Sequence, residues 1–224
     1  MIILTHKYTN MWLESGILDH LIDLDGHPKP LSQIVEEVQE YSLLRTCEIC
    51  GCKEKDAKTK DEYKNMFGWM GEVLCEFWLK TFGHKYGIVY VCDTSQNQFQ
   101  RGYDFTGSSV FDAGFNAVIQ VKMQSTEKSF TYGKLFTFLD EAKKVNSLPQ
   151  YTVLMVPTST LNLGKVLSYK DGFKEEYKSK IIYIGQNKMS ECLREMPSLS
   201  GLEGHHEFFT KFRESLIATK ALEI

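Results

Sequence analysis

The sequence predicts an α/β protein, a mixed central sheet flanked by helices, with a helical arm at its N-terminus. Three observations carry that expectation. Phe67, Met70, Val73, Leu74, Phe77, Trp78 and Phe82 form a broad apolar stripe at helical spacing. Tyr151–Val156 is a near-continuous apolar run, as in a strand covered on both faces. Between them, Asn116–Met123 alternates so that Gln120, Lys122 and Gln124 share one face, with Val121 and Met123 on the other.

The chain has 224 residues, 42% of them hydrophobic and 25% charged, an ordinary globular composition. A net charge of -3 gives no global basic field, so any nucleic-acid contact has to be local. No apolar run approaches the roughly 18–20 residues that span a bilayer, and the expected setting is cytoplasmic, with no membrane partner. MIILTHKYTN has too short an apolar stretch for a signal peptide, and the six cysteines are expected as reduced thiols.

In chain order, Trp12, Leu13, Ile17, Leu18, Leu21 and Ile22 predict a first helix, with Thr9 or Asn10 as cap. Asp25–Pro30 breaks it. Leu31, Ile34, Val35 and Val38 predict a second helix capped by Ser32. Two helices about a turn suit a winged-helix DNA reader or, preferred here, an arm packed on the main domain. Cys47, Cys50 and Cys52 resemble half of a zinc knuckle. The second cysteine pair that such a site normally needs is missing, so structural Zn²⁺ is not expected. The Lys53–Lys64 stretch reads as a solvated loop and helix start.

The striped helix runs from about Asp61 to Phe82 and carries Glu72 and Glu76 four residues apart, near its buried side. Tyr86–Cys92 is β-branched and aromatic and predicts a strand. The Asp104 segment and the Asn116–Met123 strand follow. A helix over Phe130–Val145, the Tyr151–Val156 strand, a short strand at Ile181–Ile184 and a last helix over Glu207–Ala218 complete the order. The expected division is an arm and cysteine-containing linker over 1–60 and a main domain over 61–224.

A helix with Gly68 and Glu72, then Gly102-Tyr103-Asp104, then Gln120-Val121-Lys122 and a further helix and apolar strand, resembles the PD-(D/E)xK nuclease superfamily. The resemblance is to its Mrr-type branch, where a GxD segment meets a QxK strand, and it covers roughly Gly68–Val156. It implies a restriction-endonuclease-like fold and a Mg²⁺-dependent (or Mn²⁺-dependent) endonuclease acting on DNA, in restriction or another defence role. Asp104, Gln120, the Val121 carbonyl and Glu72 would then surround the metal, and Lys122 would orient the attacking water. Gln120 departs from the acidic residue usual at that position, which removes one negative charge from the ligand set.

Asp112 is the rival acid and reads as a turn residue. Gln124, Ser125, Lys128, Ser129, Thr131, Tyr132 and Lys134 cluster where the Lys122 strand passes into the next helix, and are candidate phosphate-backbone contacts or an ordinary solvated helix start. Cutting both strands calls for two active sites, hence a homodimer. Domains of this kind also occur with helicases or methyltransferases. Two other readings stay open: a nucleic-acid-binding module on the same fold without turnover, and a zinc-stabilised interaction protein.

Overall fold

A computed structural model describes residues 2–21, 29–93, 103–113, 115–123, 151–160, 181–194 and 202–222. Its elements are α1 (Thr9–Glu14), α2 (Leu31–Cys50), α3 (Glu54–Ala57), α4 (Asp61–Phe82), β1 (Tyr90–Asp93), β2 (Phe105–Ser108), β3 (Asn116–Val121), β4 (Tyr151–Val156), β5 (Ile181–Gly185), α5 (Gln186–Arg194) and α6 (Leu202–Leu222). The expected helix over Phe130–Val145 lies outside the described residues. The chain divides into two compact units, one of Met1–Leu74 with Met189–Ile224, the other of Cys75–Lys188, with the division falling inside α4 and again inside α5.

The first unit is helical. Trp12 is fully buried on α1; its indole N–H donates to the Met70 carbonyl at 3.0 Å and its ring meets the edge of Phe212 on α6. The Leu4 N–H donates to Thr219 Oγ1 at 3.3 Å, joining residues 215 positions apart. Tyr8 stacks on Trp69 with ring centres 3.9 Å apart. The expected single helix through Ile22 is instead α1 followed by a 3₁₀ turn, Ile17–His20. Gly16 between them has φ 67°, a left-handed conformation that ends a helix and that glycine adopts without steric cost.

Expected caps also differ. The residue before α1 is Tyr8 and that before α2 is Pro30, neither making a side-chain cap bond. Thr9 Oγ1 donates back to the His6 carbonyl instead, and the fixed φ of proline suits a helix entry without a capping hydroxyl. The helix α2 runs 20 residues, further than its leading apolar positions suggest. Its later turns bury Ser42 and Thr46, whose hydroxyls bond the carbonyls four residues back, Val38 and Ser42. Polar residues therefore occupy a buried face, and a purely hydrophobic periodicity misses them.

Tyr63, at the start of α4, is 4% exposed and its hydroxyl has no hydrogen-bond partner among the described residues. Burial alone pushes its pKa above the ordinary tyrosine value. Removing the stranded hydroxyl relieves a desolvation cost, so Tyr63→Phe is expected to raise stability by about 0.5–1 kcal/mol, read as a higher urea midpoint at unchanged slope.

The second unit holds a five-stranded mixed sheet in the order β1-β2-β3-β4-β5. The β1–β2 and β2–β3 pairs are antiparallel and the β3–β4 and β4–β5 pairs parallel. Ala117–Val121 and Thr152–Val156 are buried throughout, as strands in the middle of a doubly covered sheet should be. The expected strand from Tyr86 begins at Tyr90, because Gly83–Tyr86 forms a 3₁₀ turn that Gly87 ends. α5 follows β5 directly, where the sequence predicts no helix. Its buried Met189, Cys192 and Leu193 fall at i, i+3 and i+4, a three-residue helical signal inside a polar stretch.

Candidate metal centre at the end of the β2–β3 pair

The last paired residues of β2 and β3 on this side are Phe105 and Ile119. Asp104 precedes β2, and its N–H donates to the Ile119 carbonyl at 2.9 Å. On β3 the backbone groups of successive residues point to opposite edges. The Lys122 N–H reaches Met155 O on β4 at 2.9 Å, so the Val121 N–H and carbonyl face the side from which β2 has departed. The Asp104 carboxylate takes the place of the missing strand: its Oδ2 accepts from the Val121 N–H at 2.6 Å.

Gln120 completes the arrangement. Its Nε2 donates to the same Asp104 Oδ2 at 2.5 Å and to the Val121 carbonyl at 3.2 Å. Asp104 is 8% exposed and Gln120 5%, so the contacts are made away from bulk water. A carboxylate oxygen and a backbone carbonyl thus converge on one electropositive nitrogen. These are oxygen donors of the kind that hard divalent cations take. Lys122 is half-buried next to this cluster in sequence, and its backbone bond carries the β3–β4 pairing one residue beyond the ladder.

The two glutamates of α4 have different partners. Glu72 belongs to the helical unit, where its Oε2 lies 2.6 Å from His6 Nε2. Because His6 Nδ1 accepts the Tyr8 N–H at 3.2 Å, the ring proton sits on Nε2 and is donated to Glu72. Glu76 belongs to the unit that holds Asp104 and Gln120; it is fully buried and pairs with Lys80 Nζ at 2.7 Å. Of the two, the PD-(D/E)xK resemblance implies Glu72. His6, 66 positions away, left no local signal that it would engage Glu72.

Asp112 is exposed in the loop joining β2 to β3, at the end of the hairpin away from Gln120, and its carbonyl accepts the Phe115 N–H at 2.9 Å, a turn bond. Gln124, Ser125, Lys128, Ser129, Thr131, Tyr132 and Lys134 lie outside the described residues. The cysteines require a correction. Cys50 and Cys52 are joined in a disulfide, with Cα atoms 5.3 Å apart, so they are not the reduced thiols expected. Gly51 between them has φ 63°, a left-handed turn that brings the two Cα atoms within disulfide reach. Cys47 and Cys50 also sit in the last turns of α2 rather than in a loop. Among the described residues no group of three or more His, Cys, Asp or Glu is arranged to hold a metal, and no helix is long and apolar enough to cross a membrane.

The chain matches no protein-family model, no curated protein and no solved structure.

Proposed function

We propose that this protein is a divalent-metal-dependent nuclease acting on DNA, built on a restriction-endonuclease-like sheet, with its centre at Asp104, Gln120, Val121 and Lys122. The observation that carries the reading is the convergence of Asp104 Oδ2 and the Val121 carbonyl on the Gln120 amide nitrogen, at 2.5 and 3.2 Å. That N–H donor occupies a point where two oxygens would otherwise repel each other, the position a cation would neutralise. Turning the terminal amide about its last torsion exchanges Nε2 for Oε1, a third oxygen. The donor set fits Mg²⁺ or Mn²⁺, which is bound by one or two carboxylates and otherwise keeps waters and substrate phosphate.

A bound divalent ion supplies Lewis-acid polarisation of the phosphoryl oxygen and a water of lowered pKa. The residues supply position. Asp104, fixed by the Val121 N–H, holds one charge at a defined place. Lys122, one residue beyond β3 and two beyond Gln120, would supply a cation able to orient a water or offset charge on the scissile phosphate. The test is nicking of supercoiled plasmid with Mg²⁺, Mn²⁺ or EDTA, beside single-stranded DNA and RNA. Cleavage that requires the metal and disappears in Lys122→Ala supports the reading; no turnover with any substrate rejects it.

The competing reading is a nucleic-acid-binding module without turnover. It is favoured by the Asp104–Val121 bond, because that carboxylate also serves as a plain strand-end cap. Metal-independent DNA binding without cleavage would select it.

The helix-borne carboxylate is decided by a pair of substitutions. Glu76 shares a compact unit with Asp104, whereas Glu72 is held by His6. Glu76→Gln is expected to lower metal-dependent cleavage tenfold or more, at about 1.4 kcal/mol per tenfold, and Glu72→Gln to leave it within about twofold. Single-turnover rates at saturating Mg²⁺ distinguish the two, and the reverse ranking gives the role to Glu72.

A further inference from the structure

The C-terminal end of α2 carries three sulfurs within six residues, and the nuclease reading uses none of them. Cys50 is the last residue of the helix, exposed, and bonded to Cys52, which is half-buried. Cys47, also half-buried, holds a free thiol. It lies three residues before Cys50 on the same helix, and residues at that spacing are neighbours on one face. Helix geometry puts their Cα atoms about 5 Å apart, inside the window a disulfide requires. Cys50 therefore has two partners within Cα reach, Cys52 across the Gly51 turn and Cys47 one helical turn back, the second requiring the Cβ atoms to close from their helical spacing of about 5–6 Å.

We propose that Cys47, Cys50 and Cys52 form a thiol–disulfide exchange site, in which Cys50 passes its bond between Cys52 and Cys47, and whose external substrates are solvent-borne thiols and dithiols. In the internal step the Cys47 thiolate attacks Cys50 Sγ. The Cys47–Cys50 bond forms and the Cys50–Cys52 bond breaks. Cys52 Sγ leaves with the electron pair and takes up the proton that Cys47 lost, so no oxidant or reductant is consumed. The helix end itself depends on no sulfur, since the Gly51 N–H holds the Cys47 carbonyl at 2.8 Å through the backbone. Opening the bond altogether takes an external dithiol, which is oxidised to its own disulfide as Cys50 and Cys52 become thiols. The exposure of Cys50 gives such a reagent access.

The sequence makes the test direct. Trypsin cuts after Arg45 and Lys53, releasing Thr46–Lys53 with all three cysteines in one peptide. Folded protein is equilibrated in a glutathione redox buffer, its free thiols are blocked at mildly acidic pH, and the peptide is weighed and fragmented. A Cys92→Ser background removes the exposed free thiol. The wild-type peptide is expected to carry one bond and one blocked thiol. Cys52→Ser is expected to keep one bond, now Cys47–Cys50, over the same range of glutathione ratios, and Cys50→Ser to carry two blocked thiols and no bond. The proposal is overturned if Cys52→Ser shows both thiols blocked where the wild type retains its bond, if Cys50→Ser forms a Cys47–Cys52 bond instead, or if the wild-type peptide holds three blocked thiols throughout.

Discussion

Asp104→Asn is expected to lower metal-dependent plasmid nicking by about a thousandfold while leaving a folded protein. The substitution is nearly isosteric. An asparagine Oδ1 can still accept the Val121 N–H that Asp104 accepts at 2.6 Å, so the open end of the β2–β3 pair stays capped. What disappears is the negative charge next to the Gln120 amide. Several kcal/mol of charge stabilisation depends on the cation that this charge holds, and about 4 kcal/mol corresponds to three orders of magnitude in rate. A carboxylate that serves only as a strand cap gives another pattern: a loss of about 1–2 kcal/mol in urea unfolding, from a weaker hydrogen bond to an uncharged acceptor, and no change in any cleavage rate. Measuring nicking rate and urea midpoint on the same preparation separates the outcomes, and an Asp104→Asn protein that cuts at the wild-type rate removes this residue from the chemistry.

Gln120→Glu tests the same centre by changing the sign of an interaction. In the absence of divalent cations the substitution replaces an N–H donor by a second buried carboxylate facing Asp104 Oδ2 and the Val121 carbonyl. Lost donation and like-charge repulsion should cost about 1–3 kcal/mol near neutral pH. The two carboxylates would then share a proton, so the apparent pKa of the pair rises in the folded state relative to the unfolded chain. A raised folded pKa gives a stability contribution that is present at low pH and lost as pH rises through it. The deficit relative to wild type should therefore shrink on acidification and reach its full size above that raised pKa. With Mg²⁺ added the order reverses: two carboxylates bind the ion more tightly than one, and saturation at a hundred times Kd returns about 2.7 kcal/mol. The readout is the Mg²⁺-induced shift in Tm. If millimolar Mg²⁺ moves Gln120→Glu no further than wild type, the oxygens at this position do not bind the cation.

The parts of the molecule legible from the sequence are those encoded over a few neighbouring residues. Tyr151–Val156 was readable as a buried strand because six consecutive residues are apolar or β-branched, and its bounds coincide with β4. The α4 stripe was readable because seven large side chains repeat at helical spacing over 16 residues. The α5 helix went unread because polar side chains surround its three buried positions, diluting the period. The extent of α2 was hidden similarly, since Ser42 and Thr46 lie on its buried face and satisfy themselves through i−4 carbonyls.

Asp104, Gln120 and Lys122 were singled out by residue type and spacing, and the strand alternation that puts Gln120 and Lys122 on one side is a property of the local backbone. Only the tertiary structure decided that Asp104 and Gln120 share a hydrogen bond, because that depends on where β2 stops pairing with β3. It also decided that Glu72 is engaged by His6 and that Leu4 meets Thr219 across 215 positions. Periodicity records which face of an element is apolar, over a range of a few residues. Which polar group meets which is settled by packing between distant segments and by where a ladder runs out, and neither leaves a repeating mark in the chain.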